Sequence, residues 1–102
     1  MELALTGDNL TAVRAHELGL VNALAEPGGA LDAALALAER ITANGPLAVA
    51  ATKRIIVESR NWSTEEQWNE QMKILMPVFA SKDAREGAVA FAEKRAPQWT
   101  GT

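Results

Sequence analysis

The sequence predicts a mainly α-helical chain, on three observations. Apolar residues recur at spacings of three and four, capping residues stand where those runs begin and end, and an alanine-rich stretch runs from Ala30 to Ala51. Three long helices, one short helix and at most one short strand are expected.

Taken in order, Glu2 to Leu5 read as the tail of a helix or turn with no capping residue before it, which is expected of a cut edge. Thr11 is placed to cap a short helix through Leu18, and Gly19 supplies the left-handed position that commonly ends one. Leu20 to Leu24 suit a short strand before Pro27-Gly28-Gly29 turns the chain. A lone strand has no neighbour to receive its backbone hydrogen bonds, so a missing partner is implied.

Leu31, Leu35, Ala38 and Ile41 share one helical face, and Asn44-Gly45-Pro46 stops that helix and begins the next. In that next helix Leu47, Ala51 and Ile55 form a seam, while Lys53, Arg54 and Glu58 face water or a partner. Ser63 with Glu66 is a capping-box signature. It opens a helix carrying a stripe of Trp68, Met72, Leu75, Met76 and Phe79, read first as a packing face and second as the wall of an acyl or adenine pocket. Asp83 with Glu86 repeats the capping pattern for a last helix, whose Ala84, Ala88, Phe91 and Ala92 line one face.

At 102 residues and 48% hydrophobic content the chain has room for one small core. Its formal charge of -3 gives no broad basic field for nucleic acid, so any bound anion must be met locally. The absence of cysteine removes disulfides, thiol nucleophiles and Cys-containing metal sites, and fits a cytoplasmic protein. No apolar run has the length of a membrane span. His16, the single histidine, lacks a positioned partner and reads as a surface or cap residue. Glu65, Glu66 and Glu70 suit a helix N-terminus better than an acid/base pair, and Lys53-Arg54 and Lys94-Arg95 read as solvated or helix-end charges. No phosphate loop, metal-ligand spacing or nucleophile elbow is present.

Three ordered stretches carry a resemblance that spans the chain. MELALTGDNLTAVRAHELGLVNAL, from Met1 to Leu24, resembles the crotonase (enoyl-CoA hydratase/isomerase) family segment in which an LTG turn precedes a short helix and a GLV strand. NGPLAVAATKRII resembles its linking helix, including the Thr52-Lys53 step. FASKDAREGAVAFAEKRAPQW, from Phe79 to Trp99, is similar to its C-terminal signature, with Asp83, Arg85, Glu86, Gly87, Phe91, Glu93, Lys94 and Arg95 in matching places.

The resemblance implies that residues 1–102 are the C-terminal helical region of a crotonase fold, without the upstream spiral of β-β-α turns. That spiral carries the family's oxyanion-hole N–H groups and its acid/base carboxylates, so no catalytic residue is expected in this chain. The implied activity of the whole protein is hydration of trans-2-enoyl-CoA to 3-hydroxyacyl-CoA in fatty acid metabolism, with no cofactor beyond the CoA of the substrate. Lys94 matches the lysine that approaches the phosphate and adenosine end of CoA, and Leu75 falls where some relatives place an aromatic residue near adenine. The resemblance further implies trimers or hexamers of the complete protein, and no nucleic-acid or membrane partner. The other reading open to this sequence is a non-enzymatic helical module that binds acyl-CoA or another protein through the Trp68 to Phe79 face.

Overall fold

The structure is a computed structural model describing all residues from Met1 to Thr102. It is helical throughout, with no strand. Met1–Ala38 and Glu39–Thr102 form two compact units.

The first unit holds α1 (Glu2–Thr6), α2 (Ala12–Glu17) and the first part of α3 (Ala30–Thr42). Thr11 caps α2 as expected, its hydroxyl accepting from the Arg14 N–H at 3.2 Å. At its other end Gly19 sits at φ 72°, with Gly19 N–H bonded to the His16 carbonyl and Leu20 N–H to that of Ala15, a Schellman closure. Gly7 closes α1 in the same left-handed region, at φ 70°. The strand expected over Leu20–Leu24 is absent, and bends and irregular chain take its place. No second extended segment lies beside it to complete a ladder, so its backbone has no reason to extend. Gly28 and Gly29 form the expected turn, closed by Gly29 N–H to the Glu26 carbonyl at 2.8 Å.

The second unit holds α4 (Pro46–Glu58), a 3-10 turn (Ser59–Asn61), α5 (Gln67–Phe79) and α6 (Lys82–Glu93). Counting α3, the chain has four helices of 12 or 13 residues, one in each of the four segments marked out by Leu31 to Ile41, Pro46, Ser63 and Asp83, so the expected total of three long helices is one short. Pro46 takes the first position of α4, where its missing N–H costs nothing. The Ser63–Glu66 capping box forms: Ser63 N–H and hydroxyl donate to the Glu66 carboxylate at 3.2 and 2.8 Å, and Glu66 N–H returns to the Ser63 hydroxyl at 3.3 Å. The capping role expected of Asp83 belongs instead to Ser81, whose hydroxyl accepts from Ala84 N–H at 3.0 Å. Asp83 and Glu86 thereby keep their carboxylates for other partners.

Helix α4 packs on α5, and α5 on α6. Ala51 is buried on the α4 seam with Leu47 and Ile55 half-buried beside it, as its spacing predicts. On α6 the inward face is Asp83, Gly87 and Ala90, with Ala90 1% exposed, and Phe91, expected on that face, is 87% exposed. The α5 stripe is only partly covered. Met72 and Leu75 are half-buried, whereas Trp68, Met76 and Phe79 stand exposed because nothing in the unit packs over them.

The apolar residues follow helical periodicity, yet only Ala51 and Ala90 form a buried apolar core.

Candidate functional site

A hydrogen-bonded constellation lies at the two ends of α6, where the last seven residues return along the helix. At its start the Asp83 carboxylate, 4% exposed, accepts Thr100 N–H at 2.7 Å, the Thr100 hydroxyl at 2.9 Å and Gly101 N–H at 2.8 Å. Asp83 N–H in turn donates to the Thr102 carbonyl at 3.1 Å. These donors hold the Asp83 carboxyl below its ordinary range, the Thr100 amide contributing most.

One turn on, Glu86 accepts both Nη1 and Nη2 of Arg95, at 2.6 and 3.0 Å, and Gln98 N–H at 2.8 Å. The fork-to-fork pair with Arg95, followed by the Gln98 amide, pushes the Glu86 carboxyl down to about 2. Arg95 Nε reaches Glu93 at 2.6 Å, so one guanidinium joins two carboxylates, and both raise its affinity for its proton. Between these anchors lies Trp99. Its indole N–H donates to the Ala43 carbonyl at 2.9 Å, and its ring lies against the bare Cα atoms of Gly45 and Gly87. An apolar concavity of about 300 Å³ adjoins it, lined by Leu47, Ala48, Val78, Phe79, Ala84 and Trp99 among others.

Lys94 sits at the C-terminal end of α6, exposed and in no ion pair. Its backbone is at φ 54°, ψ 39°, the only non-glycine residue of the chain at positive φ. Lys94 N–H bonds to the Phe91 carbonyl and Arg95 N–H to that of Ala90, the same closure that Gly19 makes for α2. Glycine ends α1 and α2 at this position. A lysine ends α6 despite a left-handed conformation that costs an L-residue about 1–2 kcal/mol.

Leu75, the other candidate, is half-buried in the middle of α5. It lines neither the Trp99 concavity nor the open one on α5 formed by Trp68, Met72, Lys73 and Met76, and Lys94 lines neither as well. His16 is exposed, with Nδ1 3.2 Å from the Val21 carbonyl, a contact that closes the end of α2 and activates no nucleophile. Glu66, Asp83 and Glu86 all have lowered pKa values, the opposite of what a general acid near neutral pH requires. What the arrangement offers chemically is a free ammonium on a fixed backbone, beside carboxylates already engaged.

Sequence reasoning missed Asp83, Glu86, Arg95 and Trp99 as one assembly. The Glu86–Arg95 spacing of nine is no helical repeat, and the one available signal was Ser81, a capping residue that makes a second cap at Asp83 redundant.

Among known proteins, the family model described as enoyl-CoA hydratase/isomerase matches residues 1–102. The chain belongs to the enoyl-CoA hydratase/isomerase family. A crystal structure of an enoyl-CoA hydratase from Mycobacterium tuberculosis H37Rv superposes with a TM-score of 0.98 at 77% identity, covering all of this chain and 40% of that one. A second M. tuberculosis protein named as an enoyl-CoA hydratase is 47% identical over 98 residues, 96% of this chain and 37% of its own length. The carnitinyl-CoA dehydratase of Salmonella arizonae is 39% identical over 104 residues, with 98% and 40% covered. This enoyl-CoA hydratase/isomerase family chain thus spans about 40% of the length of such relatives. None of its helices is long and apolar enough to cross a membrane.

Proposed function

We propose that this chain is the C-terminal helical segment of a cytoplasmic enzyme that hydrates trans-2-enoyl-CoA, and that it covers the nucleotide end of the acyl-CoA while an upstream spiral core performs the reaction. Relatives named as enoyl-CoA hydratases and carnitinyl-CoA dehydratases all carry a CoA thioester in their names, which supports the substrate class. The structure contributes the observation that carries the division of labour: its well-placed carboxylates are locked as hydrogen-bonded anions, whereas the Lys94 ammonium is free.

On this reading Lys94 meets the phosphates of CoA as a point charge. Leu75 offers apolar contact near adenine without stacking. The alternative, that Lys94 merely complements the dipole of α6, makes its removal a stability change of under about 1 kcal/mol.

The test uses the complete enzyme, formed by joining this chain to the upstream core of the 77%-identical M. tuberculosis hydratase. Lys94→Ala is expected to weaken crotonyl-CoA far more than crotonyl-pantetheine, which lacks the adenosine phosphates, and the loss should shrink as salt rises. Equal weakening of both thioesters, or none, overturns the role of Lys94.

A further inference from the structure

Glu93 and Arg95 flank Lys94 in sequence, and Arg95 is paired with both Glu93 and Glu86. Lys94 pairs with neither carboxylate, and Arg95 bonds both: two bonds of 2.6 and 3.0 Å to Glu86 and one of 2.6 Å to Glu93. The same guanidinium donates to the Ala96 carbonyl at 3.2 Å, and Glu86 also takes Gln98 N–H, so the chain is fixed on the far side of Lys94. On its near side the Phe91 carbonyl accepts Lys94 N–H and the Ala90 carbonyl accepts Arg95 N–H. Lys94 is thus held from both directions in a conformation that a free lysine disfavours.

We propose that Arg95 is the positioning residue for Lys94: it holds Lys94 in the left-handed conformation and occupies Glu86 and Glu93, leaving the Lys94 ammonium free for a phosphate. The functional consequence rests on the reading of Lys94 as a CoA contact; the conformational one does not. Arg95 touches no substrate in this account. Its planar fork is what a lysine cannot reproduce, since a single ammonium cannot make the two parallel bonds to Glu86 together with the third to Glu93.

The complete enzyme described above distinguishes the two consequences. Arg95→Gln is expected to raise KM for crotonyl-CoA about tenfold, the order of one lost charge-assisted contact, with kcat within about twofold. KM for crotonyl-pantetheine should not move. Arg95→Lys should recover only part of the loss. In a Lys94→Ala background Arg95→Gln should add nothing, since both changes remove one contact. An equal rise for both thioesters, or an effect that survives Lys94→Ala, overturns the positioning role.

If Lys94→Ala alone fails to separate the two thioesters, the ligand reading falls and the crystal structure of Arg95→Gln decides the rest. Lys94 leaving positive φ, or pairing with Glu86 or Glu93, supports Arg95 as the residue that holds it. Lys94 unchanged overturns that role too. Should Arg95→Gln not fold, Glu86→Gln, which keeps the amide partner and loses the paired charge, is read by the same two measurements.

Discussion

Gly87 is the position where the smallest change should have the clearest structural effect. A Cβ placed there would lie 3.2 Å from Cη2 and 3.4 Å from Cζ3 of Trp99, close enough that the ring must shift by a few tenths of an ångström. Replacing a mid-helix glycine with alanine gains about 0.5–1 kcal/mol of backbone entropy, so Gly87→Ala should lie within about 0.5 kcal/mol of the parent. Gly87→Val adds two methyl groups at the same spot and must expel the ring. An indole buries roughly 150–250 Å² when fully covered, and Trp99 is partly covered, so about 100 Å² is lost. At about 25 cal/mol per Å², reduced for a compact unfolded state, that is about 2 kcal/mol. The lost Trp99–Ala43 hydrogen bond adds about 1 kcal/mol, and valine's better helix propensity returns a few tenths. A net loss of about 2.5 kcal/mol corresponds to a fall in Tm of about 10 °C or more. Thermal melts by far-UV circular dichroism supply the number, and hydrogen exchange of the Trp99 indole N–H reports the cause. Trp99→Phe, which keeps most of the ring, should lose only about 1 kcal/mol. A Gly87→Val protein that melts with the parent and still protects the indole proton would refute this account of the tail.

The remaining predictions concern charge and exposed surface. The Glu86 carboxyl, pushed down to about 2, and the Asp83 carboxyl, also lowered, stabilise the folded tail fully above their unfolded values near about 4; the Glu86 contribution is lost as pH falls toward about 2, and that of Asp83 as pH falls through its own lowered value. Protection of the Gln98, Thr100 and Gly101 amides should therefore hold down to about pH 4.5 and fall below it, with Asp83→Asn losing the Gly101 protection even at neutral pH. Unchanged protection at the acid end, or in Asp83→Asn, contradicts this. With Leu31, Trp68 and Phe91 69%, 69% and 87% exposed, the chain should also self-associate. Sedimentation showing a compact monomer at every concentration, with no binding of an apolar dye, would count against it.

Most helix boundaries were legible because they depend on neighbours a few residues away. Thr11, Gly19, Pro46 and the Ser63–Glu66 box do locally what their chemistry dictates, wherever the rest of the chain goes. The misread positions depend on distant partners. Leu20 to Leu24 have strand-like composition, but a strand exists only with a neighbour. Phe91 and the Trp68 to Phe79 stripe have packing periodicity, but periodicity specifies a face and not what covers it. Asp83 and Glu86 imitate a capping box, and only the returning tail, 12 to 18 residues away, shows what they hold. Lys94 was picked out by resemblance alone; its left-handed backbone, invisible to composition, sets it apart from the other cations.

The central claim is that this chain completes an acyl-CoA site without carrying its chemistry, and hydration of crotonyl-CoA tests it directly. Turnover is to be measured for the 102-residue chain alone, for the upstream core of the M. tuberculosis hydratase alone, and for the two joined. On the proposal that the oxyanion donors and acid/base carboxylates lie in the upstream core, where their combined effect is many orders of magnitude in rate, the chain alone should show no turnover above the uncatalysed reaction, and joining it to the core should restore activity. Turnover by the purified chain alone, or a joined protein no more active than the core, would contradict the account.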